Sequence, residues 1–200
     1  MMVFFVLFGA AAAFACGGKL RNLEHMDVRL IGLPIAAFGC ELVCAPLFSA
    51  LSLSGLFFDA LPVILEYALL TVFLAVNFRR GLFAPVCLAG TVMNFLVIAC
   101  NAWRMPVSRA LLSGEQYADI VSRLQSLAIA QYALATDTTR LPFLGDVLKL
   151  ELFGHLFGFA SIGDLLIGAG AMMLIFHLLR PVKKGRRCMP PKRKRTAQPK

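Results

Sequence analysis

Four strongly polar side chains stand inside otherwise apolar runs of the sequence: Glu41, Glu66, Asn94 and Asp164. Each costs on the order of 2 to 3 kcal/mol in hydrocarbon even on lenient scales, so its presence needs a reason. If they meet, neighbouring carboxylates in a low dielectric share protons, because desolvation and like charge both raise the pKa. That chemistry would serve proton-coupled transport, cation binding or acid-base hydrolysis. The same residues can also hold helices together, with protonated acids bonding to Asn94 and to backbone, and this structural use is the favoured reading.

A second polar group flanks the last two apolar runs. Asn101 and Arg104 leave the fourth run, and Arg140 and Asp146 precede the fifth. Arg104 or Arg140 is expected to pair with Asp146 or to grip a lipid phosphate through its planar fork. Asp146 and Asp164 each follow a glycine. As a carboxylate pair they would suit an intramembrane hydrolase or lipid-modifying enzyme, provided their oxygens come within one water of each other. No nucleophile, base and orienter set accompanies them. Cys40 and Cys44 share a helical face, but with no C-x-x-C and no histidine at metal spacing the cysteines in apolar runs read as packing residues. No cofactor or metal is expected.

The elements that must position these groups follow from composition. A chain of 200 residues that is 59% hydrophobic and 16% charged has more apolar surface than one soluble core can hide. Runs of about 20 apolar residues bounded by charge give five spans, at about 1–17, 30–53, 57–78, 82–103 and 156–179. The expected fold is an all-α polytopic transmembrane bundle over 1–179. A cleaved signal sequence is disfavoured for the first run, since nothing basic precedes Lys19.

Orientation follows from the basic residues. Lys19, Arg21 and Arg29 follow span one, Arg79 and Arg80 follow span three, and ten of the twenty lysines and arginines lie from Arg180 onward. In a five-span chain all of these share one face, which the positive-inside rule makes cytoplasmic, leaving the N-terminus outside. The segment 180–200 is expected to be a disordered basic tail lying on anionic lipid; nucleic acid is disfavoured as its partner. The outer loop 104–155 is expected to hold an amphipathic helix. Ser113-Gly114-Glu115-Gln116 has the form of a capping box, and Tyr117, Ile120, Val121, Leu124 and Ala128 recur at helical spacing. That helix lies flat on the leaflet or packs on its own protein.

Three stretches carry a resemblance: Asn101-x-x-x-Met105-Pro106-Val107, Thr139-Arg140-Leu141-Pro142-Phe143-Leu144-Gly145-Asp146-Val147, and Ser161-Ile162-Gly163-Asp164-Leu165-Leu166. With the Gly-Gly-x-Leu-Arg at 17–21, the chain resembles a bacterial multi-pass membrane family, domain of unknown function 5317. The resemblance implies a bacterial inner-membrane protein and brings no activity with it. Two departures stand out. The family pattern has a small, glycine-rich turn after the asparagine where this chain has Ala102 and Trp103, and the long basic tail looks like an addition.

The function expected from all this is a non-enzymatic envelope accessory or binding protein, using its outer loop and polar cluster to hold a lipid, a peptide, a partner subunit or a second copy of itself. A small oligomeric proton- or cation-coupled transporter and an intramembrane carboxylate hydrolase are the alternatives.

Overall fold

The computed structural model describes residues 2–25, 28–53, 55–127, 129, 131–152 and 155–180. The tail from residue 181 onward and Ala128 lie outside the described residues, as does the side chain of Glu41.

Five apolar helices form the bundle: α1 (Met2–Ala15), α2 (Gly32–Ala50), α3 (Leu56–Val76), α4 (Phe83–Cys100) and, last in the chain, α6 (Ile162–Leu179). They fall on the five apolar runs. Three of them, α3, α4 and α6, are long and apolar enough to cross a membrane, while Val3–Ala15 and Gly32–Phe48 are shorter apolar helices. The five expected spans thus reduce to three helices of membrane-crossing length.

Small residues let α4 and α6 approach closely in antiparallel. A Cβ added at Gly90 would meet the Gly163 carbonyl and one added at Gly170 would meet the Cys87 thiol, so neither position tolerates a side chain without moving backbone. Along α6, α1 runs parallel, with Phe5 against Gly168, and a Cβ added at Gly9 would lie 2.6 Å from the Met172 carbonyl. One end of the bundle is closed by Phe73, Leu74, Phe83, Ala84 and Cys87.

Asparagines tie the connections at that same end. Asn77, fully buried at the end of α3, accepts from the Arg29 N–H at 2.9 Å and donates to the Arg29 carbonyl at 2.8 Å, so its amide pairs with backbone as a strand neighbour would. Asn22 donates to the carbonyls of Leu179 and Arg180. Lys19, Arg29 and Arg180 are thereby gathered at one end, with Arg79 and Arg80 beyond Asn77 after one intervening residue.

The opposite end carries a folded cap, which the all-α expectation missed. Its parts are β1 (Met105–Val107), α5 (Ala118–Gln125), β2 (Tyr132–Leu134), β3 (Leu148–Leu152) and β4 (His155–Ala160). β1 pairs parallel with β2, Val107 opposite Leu134, and Val107 also bridges Asp146. β3 and β4 form an antiparallel hairpin with a bulge at Leu150/Glu151. Val107, Leu112, Tyr117, Leu124 and Leu134 make a second small core, against which Ile120, Val121 and Phe159 pack. The amphipathic face of α5 therefore covers its own protein.

Two expected boundaries move for local reasons. Apolar residues 156–160 belong to β4, because hydropathy alone does not separate a buried strand from a helix, and Gly158 at φ +143 suits no helix. The capping box lies at Ser161/Asp164 instead of Ser113/Gln116: the Ser113 hydroxyl donates back to the Ala110 carbonyl, and Gly114 at φ +137 leads into the turn without a side-chain cap.

Candidate functional site

Asp164 is the third residue of α6, at the cap end of the bundle, and not a third of the way along a span as the apolar run suggested. Four hydrogen bonds close a ring around it. The Ser161 hydroxyl accepts from the Asp164 N–H at 2.9 Å and donates to Asn94 Oδ1 at 2.9 Å. Asn94 Nδ2 donates to Asp164 Oδ1 at 2.8 Å, and Asp164 Oδ2 accepts from the Ser161 N–H at 2.9 Å. Ser161 and Asn94 are buried. The carboxylate satisfies two orphan donors, one of them at the positive end of a helix, so the charge is matched where it sits. Gly163 is glycine because a Cβ there would overlap Asn94 Oδ1.

Of the four in-run polar residues, Asn94 and Asp164 are in direct contact. Glu66 joins them at one remove. Its charge and that of Asp164 both act on Tyr67, which lies within hydrogen-bonding reach of Asn94. Glu41 sits on α2, which packs against α3. Tyr67 was not foreseen, and an aromatic in an apolar run gives no sequence signal that its hydroxyl faces a polar joint.

The outer residues also come together, with different partners from those expected. Asn101 caps α4 and clamps the Arg140 backbone, accepting from its N–H at 2.9 Å and donating to its carbonyl at 2.8 Å. Two of the stretches behind the family resemblance therefore meet through Asn101 and the main chain of Arg140. Between Asn101 and Arg104, Ala102 and Trp103 hold φ of 54° and 63°, the left-handed conformation that glycine takes at least cost. Arg104 pairs neither with Asp146 nor with a loop acid. Its Nη2 donates to Asp59 Oδ2 at 3.2 Å in the first turn of α3, and its Nη1 is buried without an acceptor. An orphan donor of this kind costs on the order of 1–3 kcal/mol.

Asp146 is 2% exposed, and among the described residues no side chain hydrogen-bonds its carboxyl. Burial, reinforced by the negative charge of Asp164, pushes the Asp146 carboxyl up to about 7. Its main chain is fixed to β1, the N–H donating to the Pro106 carbonyl and the carbonyl accepting from the Ser108 N–H, each at 2.9 Å. Farther out, Lys149 Nζ lies 2.6 Å from Glu151 Oε2 and donates to the Tyr117 hydroxyl at 2.8 Å. Those bonds, to Glu151 first, hold the Lys149 ammonium above its usual range and, reciprocally, the Glu151 carboxyl below its own. Among the described residues no cluster of three histidines, cysteines or acids could hold a metal ion.

A family model of unknown function matches residues 25–176, about three quarters of the chain. The chain belongs to the family of unknown function DUF5317. All eight candidate residues, Glu41, Glu66, Asn94, Asn101, Arg104, Arg140, Asp146 and Asp164, lie within the DUF5317 match, as do the whole cap and the ring at Asp164. The match begins after α1 and after the Gly-Gly-x-Leu-Arg stretch. No protein of curated function and no solved structure matches the chain.

Proposed function

We propose that this chain is a non-enzymatic binding protein of the bacterial cytoplasmic membrane, whose cap recognises a lipid, a peptide or a partner subunit. In this reading α1 and α2 are embedded beside α3, α4 and α6. Their outward residues favour it: Phe8 is 67% exposed and Ile35 72%, in rows of apolar side chains that suit lipid better than water. A helix of 14 residues reaches only about 21 Å, so the bilayer thins locally around α1. The basic connections gathered at one end favour a cytoplasmic position for that end in this reading, with the run from Arg180 on anionic lipid and the cap outside.

The observation that carries this reading is the closed ring of Ser161, Asn94 and Asp164. Each oxygen of Asp164 already accepts a bond from a neighbour, and the amide that would relay a proton is committed on both of its atoms. The pair is built as a joint between α4 and the cap end of α6, which leaves recognition to the cap.

Photo-crosslinking in intact membranes tests this. A photoreactive residue at Phe143, on the exposed side of the cap, is expected to give a discrete lipid or protein adduct that the same probe at Arg79 does not. Equal, diffuse labelling at both positions would remove the proposal.

A further inference from the structure

Residues 141–146 form a strap in the cap that is pinned at both ends. At one end Asn101 clamps the backbone of Arg140. At the other, the Asp146 N–H donates to the Pro106 carbonyl and the Asp146 carbonyl accepts from the Ser108 N–H, which fixes the strap to one edge of β1. Between the pins its main-chain bonds run to itself, from Leu144 N–H to the Leu141 carbonyl and from Gly145 N–H to the Pro142 carbonyl. The strap lies directly on β1, since a Cβ added at Gly145 would come within 2.5 Å of the Pro106 carbonyl. Leu141, next to the clamp, holds φ of 52°, a strained conformation for a residue with a Cβ. Lifting the far end therefore breaks two main-chain bonds and turns at a residue already under strain.

The side chain at that far end is poorly placed to be an ion. Asp146 is 2% exposed and its carboxyl bonds to no described group, so the closed strap suits its neutral form. The elements around it bring no cation to its aid. β1 carries no titratable side chain and β2 carries Tyr132, while on β3 Lys149 and Glu151 pair with each other. Arg104, ahead of β1, is bound to Asp59, and Arg140 is exposed. Among the described groups the charge that acts on Asp146 is that of Asp164, which adds to burial in holding its proton to about 7. Asp164 has no freedom to retreat, because both of its oxygens accept bonds within the ring at the start of α6. Relief must come from the strap.

We propose that residues 141–146 are a proton-operated latch of the cap: with Asp146 protonated the strap lies closed on β1, and loss of that proton lifts it about the Arg140 clamp and bares the Pro106 and Ser108 edge of β1. The latch works whether or not the cap holds a partner. An Asp146 lifted into water has the ordinary value of 3.8, so between there and 7 each opening releases one proton. The opening constant then rises about tenfold per pH unit and levels off above 7.

Amide hydrogen exchange of the full chain in detergent from pH 5 to 8, corrected for the intrinsic pH dependence of exchange, tests the latch. Protection at the Asp146 and Ser108 amides is expected to fall about tenfold per pH unit up to 7 and to stay level beyond it. The Ala135 amide, which donates to the Val107 carbonyl on the other edge of β1, should exchange more slowly than both at every pH. Asp146→Asn, neutral throughout, should hold the protection of the Ser108 amide constant over the range, with a single cooperative melt to show that it is folded. Should that variant unfold, the wild-type profile decides alone. Protection at Asp146 and Ser108 that does not change with pH in wild type, a slope that survives in folded Asp146→Asn, or an Ala135 amide no better protected than the other two would each overturn the latch.

Discussion

Asn94 and Asp164, 70 positions apart, are joined by a 2.8 Å hydrogen bond that ties α4, six residues before its end, to the first turn of α6. Because Ser161 bonds to both residues, the start of α6 and the height of α4 are set by a single device.

Asn94→Leu breaks that device. It removes a donor to a carboxylate and an acceptor for a buried hydroxyl, for an expected loss of about 2–3 kcal/mol. Thermal unfolding in detergent should fall by several degrees, and Asp164→Asn should fall too, since its new amide hydrogens face a donor.

Asn101 and Arg140 should respond differently to truncation. The clamp engages the backbone of Arg140, so Asn101→Ala loses both clamp bonds and the one to the Val97 carbonyl, about 1–3 kcal/mol, and speeds amide exchange around 139–141. Arg140→Ala keeps both bonds and should shift stability by less than about 0.5 kcal/mol. Equal effects would mean that the guanidinium matters more than the clamp.

The turn after Asn101 holds two non-glycine residues in the left-handed region, at a cost of about 1–2 kcal/mol each. Ala102→Gly relieves one of them and should raise stability by about 1 kcal/mol. The fluorescence of Trp103, the single tryptophan of the chain, is well placed to follow the melt.

The sequence revealed the helices better than it revealed their partners. Five apolar runs located five helices to within a few residues, because hydrocarbon-length stretches bounded by charge have few other uses. It misread 156–160 as helix, since His155–Ala160 is as apolar as the helix it precedes. Ser161-x-x-Asp164 has the capping-box spacing that would have marked the true start of α6. The Arg104–Asp59 pair, 45 residues apart, depends on how α3 stands beside the cap, which no local spacing encodes.

Asp146 makes stability depend on pH. In the folded chain its carboxyl gives up its proton near 7, in the unfolded chain near the ordinary 3.8. Between those values only the unfolded chain has released the proton, so stability is fully present below about pH 4 and declines as pH rises to 7, then levels off. Each tenfold difference in proton affinity is worth about 1.4 kcal/mol, giving a total of a few kcal/mol. Asp146→Asn should flatten the melting temperature over that window; an unchanged slope would assign it to other groups.

The cap is expected to stand across the membrane from the basic connections. In a cysteine-free background, Ser126→Cys in the cap should react with a membrane-impermeant maleimide in intact cells, whereas Arg80→Cys should react only after the membrane is opened. Labelling of Arg80→Cys from outside, with Ser126→Cys reachable only from the cytosol, would contradict it.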